Sequence, residues 1–328
     1  MRKLLIAVLV LVAILAAVFW YFSTPDIPRA SLEAKYATPP SQFTTVDWVS
    51  ATPGSADAST GARVHYRDRG AKDAPVLMLL HGSNASLFTW ERWSKTLSDR
   101  FRVISVDLPG HGLTGAVPNG DYSQEGMVRF VDAFATKLGL TKFALAGNSM
   151  GGGVAARYAE EHPDRLTALI LVDAAGMPVK MGDKIPLAFQ IARWPVVNQL
   201  VLHITPRSLA EEGLNKAIIH KEVITPAMID SYWDFARMSG TRQATLDRFA
   251  SPWDTYVRDH VRAITAPTLI LWGAQDGLIP VEAAHAFNKA IPGSKLIVYP
   301  KTGHILMEEV ATQSAADVRA FLTEQAPH

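Results

Sequence analysis

One serine stands in the chain where a tight turn would expose it. The residues from Gly147 to Gly151 read GNSMG, after the apolar run FALA and shortly before the helix-like run VAARYAEEH. Glycines around a serine allow a strand to turn sharply into a helix, which leaves the hydroxyl at the end of the sheet. The bare pattern is weak, but its place between a strand and a helix predicts that Ser149 is a nucleophile.

A nucleophilic serine needs a base and a carboxylate that orients the base, and in this kind of turn both follow the serine in the chain. Asp276 comes after the apolar run LILWG, and His304 comes after LIVYP. Both stand beyond the carboxyl ends of predicted strands. We therefore expect Ser149, Asp276 and His304 to meet at one edge of the sheet. Asp173, in LVDAAG, also follows a strand and is the alternative acid.

Two backbone N–H groups are expected to hold the negative charge that develops on a reacting carbonyl oxygen. The residue after the nucleophile, Met150, supplies the first. The loop after the apolar run VLMLL supplies the second, and we choose Ser83, with Asn84 as the alternative. We expect His81 and His111 to shape their own loops rather than to react.

The composition predicts no metal, cofactor or nucleic-acid partner. The chain has no cysteine, so it has no disulfides, thiolate ligands or cysteine nucleophile. Its ten histidines show no metal-ligand spacing. Lys and Arg number 32 against 31 Asp and Glu, so the basic excess typical of nucleic-acid binding is missing.

Short apolar runs alternate with amphipathic stretches from Phe43 onward, which is typical of βαβ units. Runs such as VLMLL and ALILV suit parallel strands that helices cover on both faces. We predict an α/β fold with a doubly wound, mostly parallel sheet of eight strands: Thr44 to Val49, Arg63 to Arg67, Val76 to Leu80, Val103 to Val106, Phe143 to Ala146, Ala168 to Val172, Thr268 to Trp272 and Lys295 to Tyr299.

Between Gly176 and about Ala266 the pattern changes to large apolar residues at helical spacing, interrupted by prolines. We predict a helical lid over residues 177–266, inserted into a core that comprises residues 43–176 and 267–328. Because the insertion lies between two strands of one sheet, it can fold over their carboxyl ends, where ligands bind in such sheets.

The N-terminal residues 1–22 are long and apolar enough to cross a membrane. Arg2 and Lys3 precede an apolar run from Leu4 to Phe22, which is about 28 Å long as a helix. Aromatic residues end the run without a small-x-small cleavage site, so we expect an uncleaved anchor, with a cleaved signal peptide as the alternative. The basic end predicts a cytoplasmic N-terminus and a globular domain outside the cytoplasm, secreted if the segment is cleaved. Residues 23–42 contain four prolines and are expected to be a semi-rigid spacer.

Five segments together resemble the α/β-hydrolase superfamily, in which they stand in the same order: HGSN, DLPGHG, GNSMGG, WGAQDGLIP and GHILMEE. The resemblance extends from about Val64 to Leu322. It implies no cofactor. The roles that it implies are nucleophile for Ser149, general base and then acid for His304, orienting carboxylate for Asp276, and oxyanion donors for Ser83 and Met150.

The subgroups of this superfamily differ at positions that the sequence shows. Dehalogenase and epoxide hydrolase relatives have an aspartate where this chain has Ser149. Carbon–carbon bond hydrolases are similar at GNSMGG, but Ser83, Asn84 and Ile305 depart from their pattern. Membrane-anchored monoacylglycerol lipases are similar in their single N-terminal span, their elbow and their compact lid.

We therefore expect a membrane-tethered serine hydrolase that cleaves carboxylic esters with moderately apolar acyl groups. The same triad could instead cleave a carbon–carbon bond, a lactone or an amide, or act as a perhydrolase, because neither fold nor triad sets the leaving group. The alternative of another class is a catalytically silent binding protein held at the membrane.

Overall fold

The computed structural model of the 328-residue chain describes residues 2–48, 61–118, 120–178, 202–251 and 261–325. One eight-stranded sheet forms its centre. The strands are β1 (Ser41–Val46), β2 (Ala62–Arg69), β3 (Val76–Leu80), β4 (Arg102–Val106), β5 (Phe143–Asn148), β6 (Leu166–Val172), β7 (Thr268–Gly273) and β8 (Lys295–Tyr299).

The strand order is β1-β2-β4-β3-β5-β6-β7-β8. β2 runs antiparallel to β1 and β4, and the six strands from β4 to β8 run parallel to one another. The predicted α/β class and its mostly parallel eight-stranded sheet are confirmed. Parallel neighbours bring the carboxyl ends of β3, β5, β6, β7 and β8 to the same edge, where the predicted site residues follow.

Helices account for most of the remaining described structure. They are α1 (Arg2–Phe22), α2 (Arg29–Tyr36), α3 (Glu91–Leu97), α4 (Gln124–Lys137), α5 (Met150–Glu161), α6 (Arg207–Ala217), α7 (Pro226–Ala236), α8 (Thr241–Ala250), α9 (Glu282–Ala290), α10 (Leu306–Glu309) and α11 (Ala311–Glu324).

The apolar run of β3 shows why the sheet is covered on both faces. Leu77 and Leu79 belong to the apolar cluster under α3 and α11. Met78 and Leu80 point to the opposite face and belong to the cluster under α4, α5 and α9. Since side chains alternate along a strand, a continuous apolar run can be buried only between two helical layers.

The helices α6, α7 and α8 lie between β6 and β7 in the chain. Leu214, Ile218 and Ile229 join the cluster under α3 and α11, and Ala244 joins the opposite cluster. The described part of the insertion therefore packs on the core. Residues 179–201 and 252–260 of the segment predicted as a lid lie outside the described residues, and its role as a lid stays a prediction.

The N-terminal helix α1 has the length and composition of a membrane span. An 18-residue window within Lys3–Phe22 has a mean hydropathy of 2.9, and none of that window is buried against the protein. A signal sequence meets the same criteria, so the choice between anchor and signal stays a prediction.

Residues 23–42 differ from the semi-rigid spacer that their prolines suggested. Their central part, Arg29–Tyr36, forms α2, and Leu32 of this helix is buried. Arg29 donates hydrogen bonds of 3.0 and 2.7 Å to two carbonyl oxygens of the loop after β4. Pro28 directly precedes α2, where the N–H that proline lacks would have no partner within the helix. Pro28 therefore begins a docked helix.

Candidate active site

Ser149 lies at the sharp turn between β5 and α5, with backbone angles φ 52° and ψ −119°. The glycines around it are sterically required. A Cβ atom at Gly147 would lie 2.1 Å from a backbone oxygen of α5, and one at Gly152 would lie 2.5 Å from a side chain that follows β6. Residues other than glycine rarely adopt a positive φ such as this. Backbone strain of this kind is concentrated at functional turns. The turn leaves Ser149 partly exposed at the carboxyl edge of the sheet.

Asp276 and His304 are in direct contact. The distance between His304 Nδ1 and Asp276 Oδ2 is 2.7 Å, and the Asp276 side chain is fully buried. The second carboxylate oxygen accepts hydrogen bonds from the backbone N–H groups of Leu278 and Ile279, at 2.7 and 3.0 Å. Because Nδ1 must donate to the carboxylate, Nε2 of a neutral His304 carries the lone pair that can take a proton.

The elbow and the histidine loop are joined through Asn148. Its side-chain amide donates hydrogen bonds to the carbonyl oxygens of His304, at 3.1 Å, and Val172, at 3.2 Å. Among the described residues, no hydrogen bond links Ser149 Oγ directly to His304. The structure thus brings Asp276 and His304 together and ties their loop to the nucleophile's neighbour, while the proton transfer from Ser149 stays a prediction.

Asp173 lies beside this pair but makes different contacts. One oxygen accepts a 2.8 Å hydrogen bond from the Gly273 N–H, and the other has no partner among the described residues. Burial, together with repulsion from Asp276, raises the pKa of Asp173 well above its usual range. The hydrogen bond to His304 comes from Asp276, which favours Asp276 over Asp173 as the orienting carboxylate.

Asp173, Asp276 and His304 each offer a donor atom within 4.8 Å of the others. These are the residues at the site whose atoms are close enough to hold an ion. However, the short contact between His304 Nδ1 and the Asp276 carboxylate oxygen needs a proton between the two atoms, so neither atom is free to bind an ion while that contact is made. The arrangement suits proton transfer better than metal binding.

The predicted oxyanion donors lie on either side of Ser149. Met150 is the first residue of α5, so its N–H has no partner within the helix. The loop after β3 abuts the nucleophile, because a Cβ atom at Gly82 would lie 3.1 Å from Ser149 Cβ. Ser83 and Asn84 follow in that loop. Which of their N–H groups donates stays a prediction.

His81 and His111 are both buried and bonded within their loops. Nδ1 of His81 donates to the Gly82 carbonyl oxygen at 2.7 Å, and Nε2 accepts from the Leu108 N–H at 3.0 Å. Nδ1 of His111 donates to the Pro109 carbonyl oxygen at 2.9 Å. Burial lowers the pKa of both, so both are neutral. These contacts support the structural roles expected for them.

Sequence reasoning missed Glu309 as part of the site's support. One of its oxygens accepts from the Gly303 N–H at 2.8 Å, and the other accepts from the N–H groups of Ile219 and His220 at 2.8 and 3.0 Å. This carboxylate therefore joins the loop of the predicted base to the insertion. GHILMEE contains Glu309, but nothing local in that segment indicates which distant backbone it would meet.

Known proteins share both the sequence pattern and the fold. At 28% identity over 274 residues, covering 81% of this chain and 89% of the relative, the chain is similar to a 2-hydroxy-6-oxo-6-(2'-aminophenyl)hexa-2,4-dienoic acid hydrolase of Metapseudomonas resinovorans. It is 27% identical to the monoacylglycerol lipase abhd6-B of Xenopus laevis over 281 residues, covering 79% of this chain and 78% of the relative.

The crystal structure of a membrane phospholipase A, described as a bacterial virulence factor, matches 99% of both chains with a TM-score of 0.71 and 24% identity. At that identity the likeness is one of fold. The alpha/beta hydrolase fold family matches residues 75–311, a span that includes the elbow, the acid and the histidine. The chain therefore belongs to the alpha/beta hydrolase fold family.

Proposed function

We propose that this chain is a serine hydrolase that cleaves carboxylic esters with moderately apolar acyl groups. The observation that carries the proposal is the 2.7 Å bond between His304 and Asp276 at the sheet edge where Ser149 occupies its strained elbow. Membership of the family supports the broader class of hydrolase. The intact set of nucleophile, base and acid argues against a silent binding protein.

In the first half of the reaction, Ser149 Oγ attacks the ester carbonyl carbon while His304 Nε2 takes the hydroxyl proton. Asp276 holds the Nδ1 proton and stabilises the imidazolium that forms. The N–H groups of Met150 and Ser83 hold the oxyanion. The alcohol then leaves with the proton from Nε2, and the acyl group stays on Ser149.

In the second half, His304 takes a proton from water as the water attacks the acyl carbon. The same N–H groups hold the second oxyanion. When this intermediate collapses, the carboxylic acid leaves and His304 returns the proton to Ser149 Oγ. No metal or organic cofactor enters either half.

Two relatives support different bonds. The monoacylglycerol lipase supports ester cleavage, whereas the dienoic acid hydrolase supports carbon–carbon cleavage as the second candidate. At the oxyanion loop, the exposed Asn84 has a positive φ of 57°, and its side chain is bonded to α8. Ser83 and Asn84 in this loop depart from the pattern that the family resemblance implies for carbon–carbon bond hydrolases, which favours the ester.

We propose that α1 holds the enzyme at a membrane with its globular domain outside the cytoplasm. The insertion lies beside the end of this helix, because the rings of Phe19 and His203 are 5.8 Å apart and meet edge to face. The full-length chain should stay with the membranes after an alkaline carbonate wash and keep its N-terminus intact. A mature chain that begins after residue 22 would instead establish a cleaved signal.

The first experiment is intact-mass analysis after incubation with a fluorophosphonate, comparing the wild type with Ser149→Ala. One adduct on the wild type and none on the variant are expected. A folded wild type that stays unlabelled, with and without detergent, would support a silent binder. If the wild type takes up the probe, fresh unlabelled enzyme is then tested on p-nitrophenyl esters of increasing chain length and on a 2-hydroxy-6-oxo-hexa-2,4-dienoic acid. If only the dienoic acid is turned over, carbon–carbon bond hydrolysis would replace ester hydrolysis as the proposed reaction.

A further inference from the structure

Arg248 is a buried cation close to the oxyanion loop. It lies on α8 and is 2% exposed. Its Nη2 donates a 2.8 Å hydrogen bond to the side-chain oxygen of Asn84, and its Nη1 donates to Nε2 of His111. Its Nε has no partner, and no carboxylate of the described residues pairs with it.

Such an arginine costs solvation free energy that a structural ion pair would offset. Burial lowers the pKa of Arg248 to about 10, which still leaves it charged at neutral pH. Its two acceptors are neutral. His111 uses its Nδ1 proton on the Pro109 carbonyl oxygen, so its Nε2 lone pair faces the guanidinium. The charge is therefore directed at two loops of the core.

Arg242 lies on the same helix and provides the contrast. It is also buried, at 7% exposed, but it pairs with Asp26 at 3.2 Å and donates to two backbone carbonyl oxygens. The contacts with Asp26 and Thr24 attach α8 to the N-terminal segment, and the contact with Leu202 lies within the insertion. Arg248 instead contacts the loop that adjoins the nucleophile.

Asn84 is where this contact acts on the site. It has a φ of 57°, in the left-handed region that asparagine tolerates better than most residues. It directly follows Ser83, and the N–H of either residue is the predicted second oxyanion donor. A fixed Asn84 side chain sets the orientation of the peptide groups on both sides of it.

We propose that Arg248 is a positioning residue of the hydrolysis, which holds Asn84 from α8 and thereby aims the oxyanion donor of the Ser83–Asn84 loop. The inference rests on the proposed ester hydrolysis. It also makes the insertion part of the machinery, because the oxyanion site is complete only while α8 is docked on the core.

The test compares Arg248→Met with Arg242→Met on a short p-nitrophenyl ester. Removing a single oxyanion donor lowers kcat about 10²–10³-fold in a serine hydrolase, so a misaimed donor should cost roughly 10–100-fold. KM should change less than about threefold. A trifluoromethyl ketone inhibitor, which mimics the tetrahedral oxyanion, should bind more weakly by the same factor as kcat falls. The pH profile of kcat/KM should not move, because Asp276 and His304 are untouched. Arg242→Met should keep kcat within about twofold.

A double-mutant cycle tests whether Arg248 acts through Asn84. Asn84→Gly keeps the left-handed backbone accessible and removes the acceptor. The double variant with Arg248→Met should lose no more kcat than the worse single variant, because both changes break one contact. Asn84→Asp, which keeps an acceptor, should retain kcat within about threefold.

Multiplying losses in the cycle, or an unchanged kcat in Arg248→Met, would overturn the positioning role. If Arg248→Met fails to fold, Asn84→Gly decides alone, since Asn84 is exposed and its change does not open the core. Normal kcat and inhibitor binding in that variant would also overturn the proposal.

A folded wild type without ester turnover would overturn the proposed function, and this inference with it. Turnover by the wild type and all variants alike would overturn this inference only.

Discussion

Two Asp–His pairs in this molecule have nearly the same geometry and different surroundings. His65 Nδ1 lies 2.6 Å from Asp107 Oδ2, and His304 Nδ1 lies 2.7 Å from Asp276 Oδ2. The first pair even has a serine in place, because the His65 Nε2 to Ser41 Oγ distance is 2.9 Å. Judged by hydrogen bonds alone, Ser41, His65 and Asp107 form the complete Ser–His–Asp set, and they lie away from the elbow.

The surroundings of Ser41 show what that set lacks. Ser41 begins an edge strand in ordinary extended backbone, and its Oγ also accepts a 3.1 Å hydrogen bond from Arg67 Nε. Asp107 accepts two backbone N–H groups at 2.8 Å besides His65. These bonds join β1, β2 and two loops after β3 and β4. Their geometry holds the sheet edge together.

Ser149 has the opposite surroundings. The elbow strains its backbone, the N-terminus of α5 points at it, and the loop that holds the predicted second oxyanion donor abuts it. An Asp–His hydrogen bond can therefore serve a purely structural role. A reaction needs an exposed hydroxyl with oxyanion donors around it.

The largest expected effect comes from changing each serine to alanine. Ser149→Ala should lower kcat for an ester by roughly 10⁴-fold or more, because the acyl acceptor is gone. Ser41→Ala, the same chemical change in the other set, should keep kcat within about twofold. Steady-state rates check both, normalised to protein concentration for Ser149→Ala and to titrated active sites for Ser41→Ala. A large loss of kcat in Ser41→Ala, with a normal free energy of unfolding, would contradict the structural role of Ser41.

The next effect separates the two aspartates. Asp276→Asn should lower kcat roughly 10³–10⁴-fold, because an amide does not hold His304 in the tautomer with a free Nε2 lone pair. Asp107→Asn should lower the free energy of unfolding by about 3 kcal/mol, since it breaks a buried, multiply bonded pair. Its kcat per titrated site should change little. Urea unfolding and steady-state rates check both variants. A large loss of kcat in Asp107→Asn, with normal kcat in Asp276→Asn, would contradict the assignment of these roles.

Asp173→Asn should have only a small effect on turnover and keep kcat within about threefold, because the hydrogen bond to His304 comes from Asp276. A loss as large as that in Asp276→Asn would make Asp173 the orienting acid.

Its stability should depend on pH in a defined direction. The folded-state pKa of Asp173 lies above the unfolded value, so the native protein holds a proton that the unfolded chain releases. Wild-type stability is therefore lost as pH rises from about 4 toward the raised pKa. Asparagine cannot ionise and escapes this loss. Thermal melts should find the variant more stable than wild type at pH 7, with little difference near pH 4.

The sequence by itself predicts the sheet and the residues that stand at its carboxyl edge. All eight predicted strands are present, with ends shifted by a few residues, because long apolar runs have few other ways to be buried. The glycines around Ser149 could be interpreted before the structure because only a tight turn requires so many of them. The loops of Asp276 and His304 followed from strand order, since parallel strands share one edge.

Only the tertiary structure decided how the site is supported. The docked α2, the carboxylate of Glu309 and the guanidinium of Arg248 all bind backbone or side chains far along the chain, and Arg248 and Asn84 are 164 residues apart. Local patterns carry no record of such partners. The prolines of residues 23–42 predict a spacer, but proline suits both an extended linker and the start of a helix, so local composition does not separate the two. Strand periodicity and turn glycines are local properties, whereas the contacts that aim a catalytic group depend on which surfaces meet.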